Sequence, residues 1–357
     1  MTGFGEERAL GRNPSPNPGP ELFTTRRVNS RRKKREQLPW PKDHSFRILS
    51  LDGGGIRGLY SASLLHLIEA ELGQSGSLYQ YFDMIAGTST GGILGIAASL
   101  GVPAERMKSL YVSGGREIFP PWRYKVSRYT LVRLLFGVLY DYRKLERLIY
   151  AEFGDATLGD CRARMVVPAF MIPKAEIAVF KTDHHPDFQN DHRMKAWEAA
   201  RATAAAPTYI HGLDRGDVMF IDGGVWANNP IMAAVVDALS AYDVNRDKIE
   251  ILSIGTGSQP WEISKAEARG GIFSWKTVIE GAMYLTADNA LAQAGLLIGP
   301  ERITRIEPRG EAATIDMDDW RTAVRLLPDA AATDFAENKD PIMRFFEAKV
   351  DPRHRFY

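Results

Sequence analysis

Three short motifs in this sequence hold residue types that could do covalent chemistry together. Gly87-Thr88-Ser89-Thr90-Gly91 follows a short apolar run and opens a helix-forming stretch. In a strand–turn–helix setting, a serine flanked by glycines sits on a sharp turn that projects its hydroxyl outward. The helix N-terminus behind it favours developing negative charge. Asp222-Gly223-Gly224 ends the apolar run Val218-Met219-Phe220-Ile221. An acid at a strand's carboxyl end lies where parallel α/β sheets place their sites, although an aspartate there can equally cap a turn. Asp52-Gly53-Gly54-Gly55-Ile56-Arg57-Gly58 lies between another apolar run and a helix. Its glycines permit close backbone approach, and amides at a helix start point at anions, so the loop can cradle a phosphate or an oxyanion. The spacing Gly53-x-Gly55-x-x-Gly58 also fits a dinucleotide fingerprint. That fingerprint expects an acid at the end of the next strand, where this chain has Gly87-Thr88-Ser89, with Asp83 at the strand's start.

A serine nucleophile needs a general base. The histidines are His44, His66, His184, His185, His192, His211 and His354. On a nucleophile-elbow fold the histidine should follow the acid in chain order. Only His354 follows Asp222, and it lies in the charged tail Asp351-Pro352-Arg353-His354-Arg355, a poor setting for a buried base. The remaining candidate is Asp222 acting directly on Ser89. A desolvated setting would raise its pKa from about 3.9 and make it a better base. His184-His185, near Asp183 and Asp187, could suggest metal ligands, but the His-x-x-x-His spacing of a helical site is missing. The pair reads as a solvated loop, and neither a metal nor an organic cofactor is expected.

The elements that must position these residues alternate. Strands are predicted over 46–51, 82–86, 164–171, 175–181, 217–221 and 248–254, and helices over 58–72, 92–100, 194–205, 230–241 and 275–292. Such alternation implies a three-layer α/β/α fold with a mostly parallel central sheet. Residues 113–150 are less regular: Phe119, Trp122, Tyr124, Tyr129, Phe136 and Tyr140 lie among Arg116, Arg123, Lys125, Arg128 and Arg133. They read as a helical excursion packed on the core, or as a helical cap that meets lipid. Residues 1–44 form a flexible Pro-rich and basic segment, with Pro14, Pro16, Pro18 and Pro20 followed by Arg31-Arg32-Lys33-Lys34-Arg35. It reads as a solvated tail or as a hook for anionic lipid, each charge worth about 1 kcal/mol near such a surface. Residues 45–357 form one domain, with core motifs over 45–256 and a C-terminal helical part over 257–357.

Forty-five basic residues against 44 acidic ones leave a net charge of +1, so no global attraction to DNA or RNA is expected. The single cysteine, Cys161, allows no internal disulfide. With no secretory-signal pattern and no long apolar run, the expected location is cytoplasmic, with any membrane contact peripheral.

Taken together, the three ordered motifs resemble the patatin-like phospholipases. The resemblance runs from about Ser45 to Thr256 and includes Arg201–Pro207 and Phe220–Pro230, which look like bacterial members. It implies that Ser89 is the nucleophile and Asp222 its dyad partner, within an elbow bounded by Gly87 and Gly91. It also implies that Gly53, Gly54 and Gly55 form the oxyanion hole, and that Arg57 and Gly58 support the loop or meet a lipid phosphate. The implied activity is hydrolysis of glycerophospholipid acyl esters. A finer resemblance, to the phospholipase effectors of cyclic-oligonucleotide antiphage systems, implies activation by a cyclic dinucleotide such as cyclic GMP–AMP. A constitutive patatin-type lipase and a non-catalytic lipid- or nucleotide-binding module stay open beside it. So does assembly into a homo-oligomer.

Overall fold

A computed structural model describes residues 35–120, 138–257 and 275–357. The Pro-rich stretch, Arg31–Lys34, and Trp122 to Phe136 of the expected cap lie outside the described residues. The strands are β1 (Phe46–Leu51), β2 (Met84–Gly87), β3 (Arg164–Ile172), β4 (Glu176–Lys181), β5 (Leu213–Asp214), β6 (Met219–Asp222), β7 (Ile249–Ile254) and β8 (Ile303–Ile306). The longer helices are α1 (Gly58–Leu72), α2 (Thr90–Leu100), α3 (Tyr142–Phe153), α4 (Ala196–Thr203), α5 (Ile231–Ala241), α6 (Trp275–Ile298) and α7 (Trp320–Glu337).

All eight strands form one mixed sheet, ordered β5-β6-β3-β2-β1-β7-β8, with β4 pairing β3. From β3 through β2, β1 and β7 to β8 every pairing is parallel. Alternation along the strands divides the core between two faces, because successive side chains point to opposite sides. Leu49, Leu51, Ile85, Met165, Val167, Leu252 and Ile254 pack on one face, with residues of α1, α2, α4 and α7. Phe46, Ile48, Met84, Ala86, Val166, Ile249 and Ile251 pack on the other, with residues of α5 and α6. Both faces are therefore covered, as the three-layer expectation requires.

The pairing around β3 decides where the site falls. Residues 166–171 of β3 pair β4, whereas residue 166 also pairs β2 and residue 169 also pairs Asp222 of β6. A strand has only two edges, so β2 and β6 share the edge that β4 leaves free. They run toward each other along it, since β2 is parallel to β3 and β6 antiparallel. Their carboxyl ends meet head to head.

The C-terminal part departs from the purely helical expectation. It supplies β8, which pairs Ile251–Ile254 of β7 and extends the sheet. Among the described residues no helix is long and apolar enough to cross a membrane.

Candidate active site

Ser89 sits between β2 and α2 with φ 56° and ψ −124°. A non-glycine residue at positive φ costs of the order of 1–3 kcal/mol and persists only where its surroundings impose it. Here they do. The Ser89 amide donates to the Thr203 hydroxyl at 3.0 Å, and that hydroxyl donates to the Pro168 carbonyl at 2.6 Å. The Thr88 hydroxyl donates to the Ala227 carbonyl at 2.6 Å. A side chain on Gly91 would run into the backbone of Leu51, whose carbonyl carbon would be 2.6 Å away. The elbow can therefore close against β1 only if that residue is glycine.

Asp222 comes to the same place from the end of β6. Its amide donates to the Ala205 carbonyl at 3.0 Å, and Oδ1 accepts from the Gly224 amide at 2.7 Å. The carboxyl group is 1% exposed, and its Oδ2 accepts no well-formed hydrogen bond. Burial pushes its pKa up to about 7, opposed by the adjacent Ser89 hydroxyl and the Gly224 amide, which favour the charged form. Hydrogen bonds of this kind are often loose before substrate binds and tighten in the complex.

The glycine loop passes on the other side of Ser89. The Gly53 amide donates to the Asn228 carbonyl at 2.9 Å, which takes it out of the expected trio of oxyanion donors. The Gly53 carbonyl accepts from the Thr256 hydroxyl at 2.6 Å. Gly54 and Gly55 line the cleft that Ser89 and Asp222 face. Gly54 could not carry a side chain, since its Cβ would lie 2.6 Å from the Thr256 Cβ. Arg57 turns back on the loop, with Nε 3.3 Å from the Gly54 carbonyl and Nη1 3.4 Å from that of Gly257. A Cβ on Gly58 would strike Thr90, so this glycine lets α1 and α2 start side by side. Behind the loop, Arg305 of β8 donates to Asp52 at 2.6 Å and to Ser253 at 2.8 Å.

The cleft is walled mainly by apolar groups, among them Ile93, Leu110, Ile118, Phe119, Tyr209 and Met317. Of the expected cap residues, Phe119 forms part of this wall, its ring 5.0 Å from that of Tyr140. The Tyr140 hydroxyl donates to Asp318 at 2.6 Å. The arrangement brings together a strained serine, an acid of raised pKa and two loop glycines in an apolar pocket. Chemically it suits nucleophilic attack on an ester attached to a hydrocarbon chain.

The His184-His185 pair is not a solvated loop; both side chains are buried. His184 Nε2 meets Asp237 at 2.8 Å and its Nδ1 meets the Thr182 hydroxyl at 2.7 Å. Burial drives the His184 pKa down to about 4 against the opposing pull of Asp237. His185 Nε2 meets the Glu36 carbonyl at 2.8 Å. These two rings tie β4 to α5 and to the chain entering the domain. Among the described residues no group of three or more His, Cys, Asp or Glu side chains is placed to hold a metal ion. The charged tail also differs from expectation: Arg353 is buried and meets Asp183 at 2.7 Å. Thr203, Asn228, Thr256 and Arg305 have no role in the sequence reading. Only Thr203 and Asn228 fall in stretches that it singled out.

Residues 49–235, more than half of the chain, match the model of the patatin-like phospholipase family. A cGAMP-activated phospholipase from Pseudomonas aeruginosa is 33% identical over 265 residues, 70% of this chain and 75% of that protein. One of the same name from Vibrio cholerae is 36% identical over 246 residues, 64% of this chain and 68% of the relative. Patatin-like protein 2 from Arabidopsis thaliana is 33% identical over 270 residues, 64% of this chain and 65% of that protein.

Proposed function

The chain belongs to the patatin-like phospholipase family, and from that premise we propose that it hydrolyses glycerophospholipid acyl esters with Ser89 as nucleophile and Asp222 as general base. The observation that carries the reading is the meeting of Ser89, held at positive φ, with a buried carboxyl group of pKa about 7 in one apolar cleft. Asp222 takes the Ser89 proton as Oγ attacks the ester carbonyl. The amides of Gly54 and Gly55 hold the oxyanion, one such donor being worth about 3 kcal/mol in other hydrolases. The carbonyl re-forms and expels the lysophospholipid alkoxide, which takes the proton from Asp222. A water molecule, deprotonated by the same carboxylate, then attacks the acyl-enzyme and releases the fatty acid, returning the proton to Ser89. The apolar walls accept the acyl chain and keep bulk water from the ester. Neither a metal nor an organic cofactor enters these steps.

The names of the bacterial relatives support a second element, activation by cyclic GMP–AMP. The chain then works peripherally at the membrane as an effector that degrades phospholipid in antiviral defence. The test is fatty-acid release by the purified chain from mixed phospholipid vesicles, with and without cyclic GMP–AMP. Release that rises on adding the nucleotide supports the whole reading, and equal release without it leaves a constitutive lipase. No release under either condition overturns the hydrolase.

A further inference from the structure

A second cleft lies at the opposite end of the sheet from Ser89. Its floor is Asp83, just before β2, together with Ala163 and Arg164, where β3 begins. Its far wall is the end of the chain, which crosses the amino ends of these strands and is fastened on both sides. The Val350 amide donates to the Gln80 carbonyl at 2.7 Å. Arg353 donates to the Cys161 carbonyl at 2.8 Å, to the Gly159 carbonyl at 2.7 Å and to Asp183 at 2.7 Å. The Tyr357 amide adds a bond to Asp183 at 3.0 Å. Between floor and wall the cleft opens to solvent.

Its lining differs in kind from that of the first cleft. Arg162, Lys349 and Arg355 are exposed there, with Arg164 and Arg353 buried behind them. Two acids line the cleft with them, the exposed Asp351 and the buried Asp83, and Arg353 is already paired with the buried Asp183. Asp83 is already engaged: it accepts from the Arg47 amide at 2.9 Å and lies 3.8 Å from Arg164. Burial raises its pKa to about 6, but near neutrality it is still mostly charged. The surplus of positive charge therefore rests on the exposed Arg162, Lys349 and Arg355, set against the exposed Asp351. Arg162 donates one N–H to the Tyr79 hydroxyl at 2.7 Å and lays its guanidinium 4.8 Å from the Tyr79 ring. That contact pre-sets a planar fork at the cleft's edge, the geometry that suits phosphate oxygens. The residues lining the first cleft include no lysine or arginine.

We propose that this second cleft binds a phosphodiester-bearing nucleotide of the cyclic dinucleotide class and is the site from which the hydrolase is switched on. The inference rests on the activator reading above and gives it a location. The strands under the cleft supply the coupling. β2 runs from Asp83 to the Ser89 turn in four residues, Met84–Gly87, a span of about 13 Å. The Asp83 carbonyl accepts from Arg164 at 3.1 Å, which joins the amino end of β2 to that of β3. β3 in turn supplies the Pro168 carbonyl that anchors Thr203 under Ser89. A phosphate that draws on Arg162 and Arg164 thus acts on both strands that set the elbow.

Equilibrium dialysis of the full chain tests this, with cyclic GMP–AMP, inorganic phosphate and phosphatidylglycerol vesicles as separate probes. Fatty-acid release from phosphatidylcholine vesicles is measured in parallel. Arg162→Glu and Arg355→Glu alter exposed positions outside the first cleft. Each is expected to weaken cyclic GMP–AMP binding by about tenfold or more. Each should also abolish stimulation at concentrations that saturate the wild type, with basal release unchanged. Arg162→Gln and Lys349→Gln repeat the test if a charge reversal unfolds the chain. Undiminished binding by these variants overturns the location and leaves the activator reading standing. A wild-type chain that binds no cyclic GMP–AMP overturns both. Vesicle binding that is lost in the variants, with no nucleotide bound by the wild type, assigns the cleft to lipid headgroups and overturns the proposal.

Discussion

The amide of Ser89 is held by the hydroxyl of Thr203 at 3.0 Å, and through it by the backbone of the neighbouring strand, at Pro168. One side chain thus fastens the turn after β2 to α4 and β3. Thr203→Val keeps the shape but leaves the Ser89 amide and the Pro168 carbonyl unpaired, at about 1–3 kcal/mol each. The melting temperature is expected to fall and kcat to drop by about 10- to 100-fold, because the nucleophile is no longer held in place. Thr203→Ser is expected to restore most of both. Vesicle assays on the two variants, with thermal melts, check this pair of outcomes.

The state of Asp222 sets two pH dependences of opposite sense. As the base it must be ionised, so kcat/KM is expected to climb as pH rises through about 7 and to level off above. For stability the sign reverses. The folded carboxyl group keeps its proton up to about pH 7, whereas the unfolded one loses it near about pH 4. Its contribution is therefore fully present below about pH 4 and is lost as pH rises through about 7. Asp222→Asn is expected to raise the melting temperature at pH 8, with the gain shrinking toward pH 4. A flat pH–rate profile, or a gain independent of pH, contradicts the raised pKa.

At Gly54 the test is steric. A methyl group there would meet the Thr256 Cβ at 2.6 Å and push the loop off its course beside the cleft. Gly54→Ala is expected to lower kcat by about 100- to 1,000-fold, the loss seen when an oxyanion donor is removed. The protein should still fold, which circular dichroism can verify. Full activity in Gly54→Ala would remove this amide from the oxyanion site.

Arg305 offers a test of positioning from outside the three motifs. It pairs Asp52 at 2.6 Å and Glu307 at 3.0 Å, and without it Asp52 is buried with no counter-charge at that oxygen. Arg305→Met is expected to cost about 3 kcal/mol, in the range for breaking a buried pair. Adding Asp52→Asn should recover part of that loss, because the orphaned charge is gone. A double-mutant cycle by urea denaturation reads the coupling, and strict additivity would contradict it.

Much of this architecture is legible in the residues themselves. The runs at 46–51, 164–171 and 248–254 are apolar and β-branched enough to read as buried strands, and each forms within one residue of that range. The glycine motifs are equally readable, because only glycine tolerates the close approach at Gly91 or Gly54. Other elements gave no such signal. β8 is a four-residue strand, Ile303–Ile306, with Thr304 and Arg305 at its centre, too short and too polar to stand out. α7 carries Pro328 inside it, a residue that ordinarily argues against a helix. The histidine pair reads as solvated from its neighbours in sequence because its burial comes from contacts with Asp237 and Glu36, each distant along the chain. Thr203 is hidden for the same reason: its partners lie on two other elements.

The most direct test of the account is fatty-acid release by purified, folded Ser89→Ala, set beside fluorophosphonate labelling of the wild type mapped by mass spectrometry. The account expects the label on Ser89 and no release above background by the variant. Substantial release by Ser89→Ala, or a label confined to another residue, would contradict it.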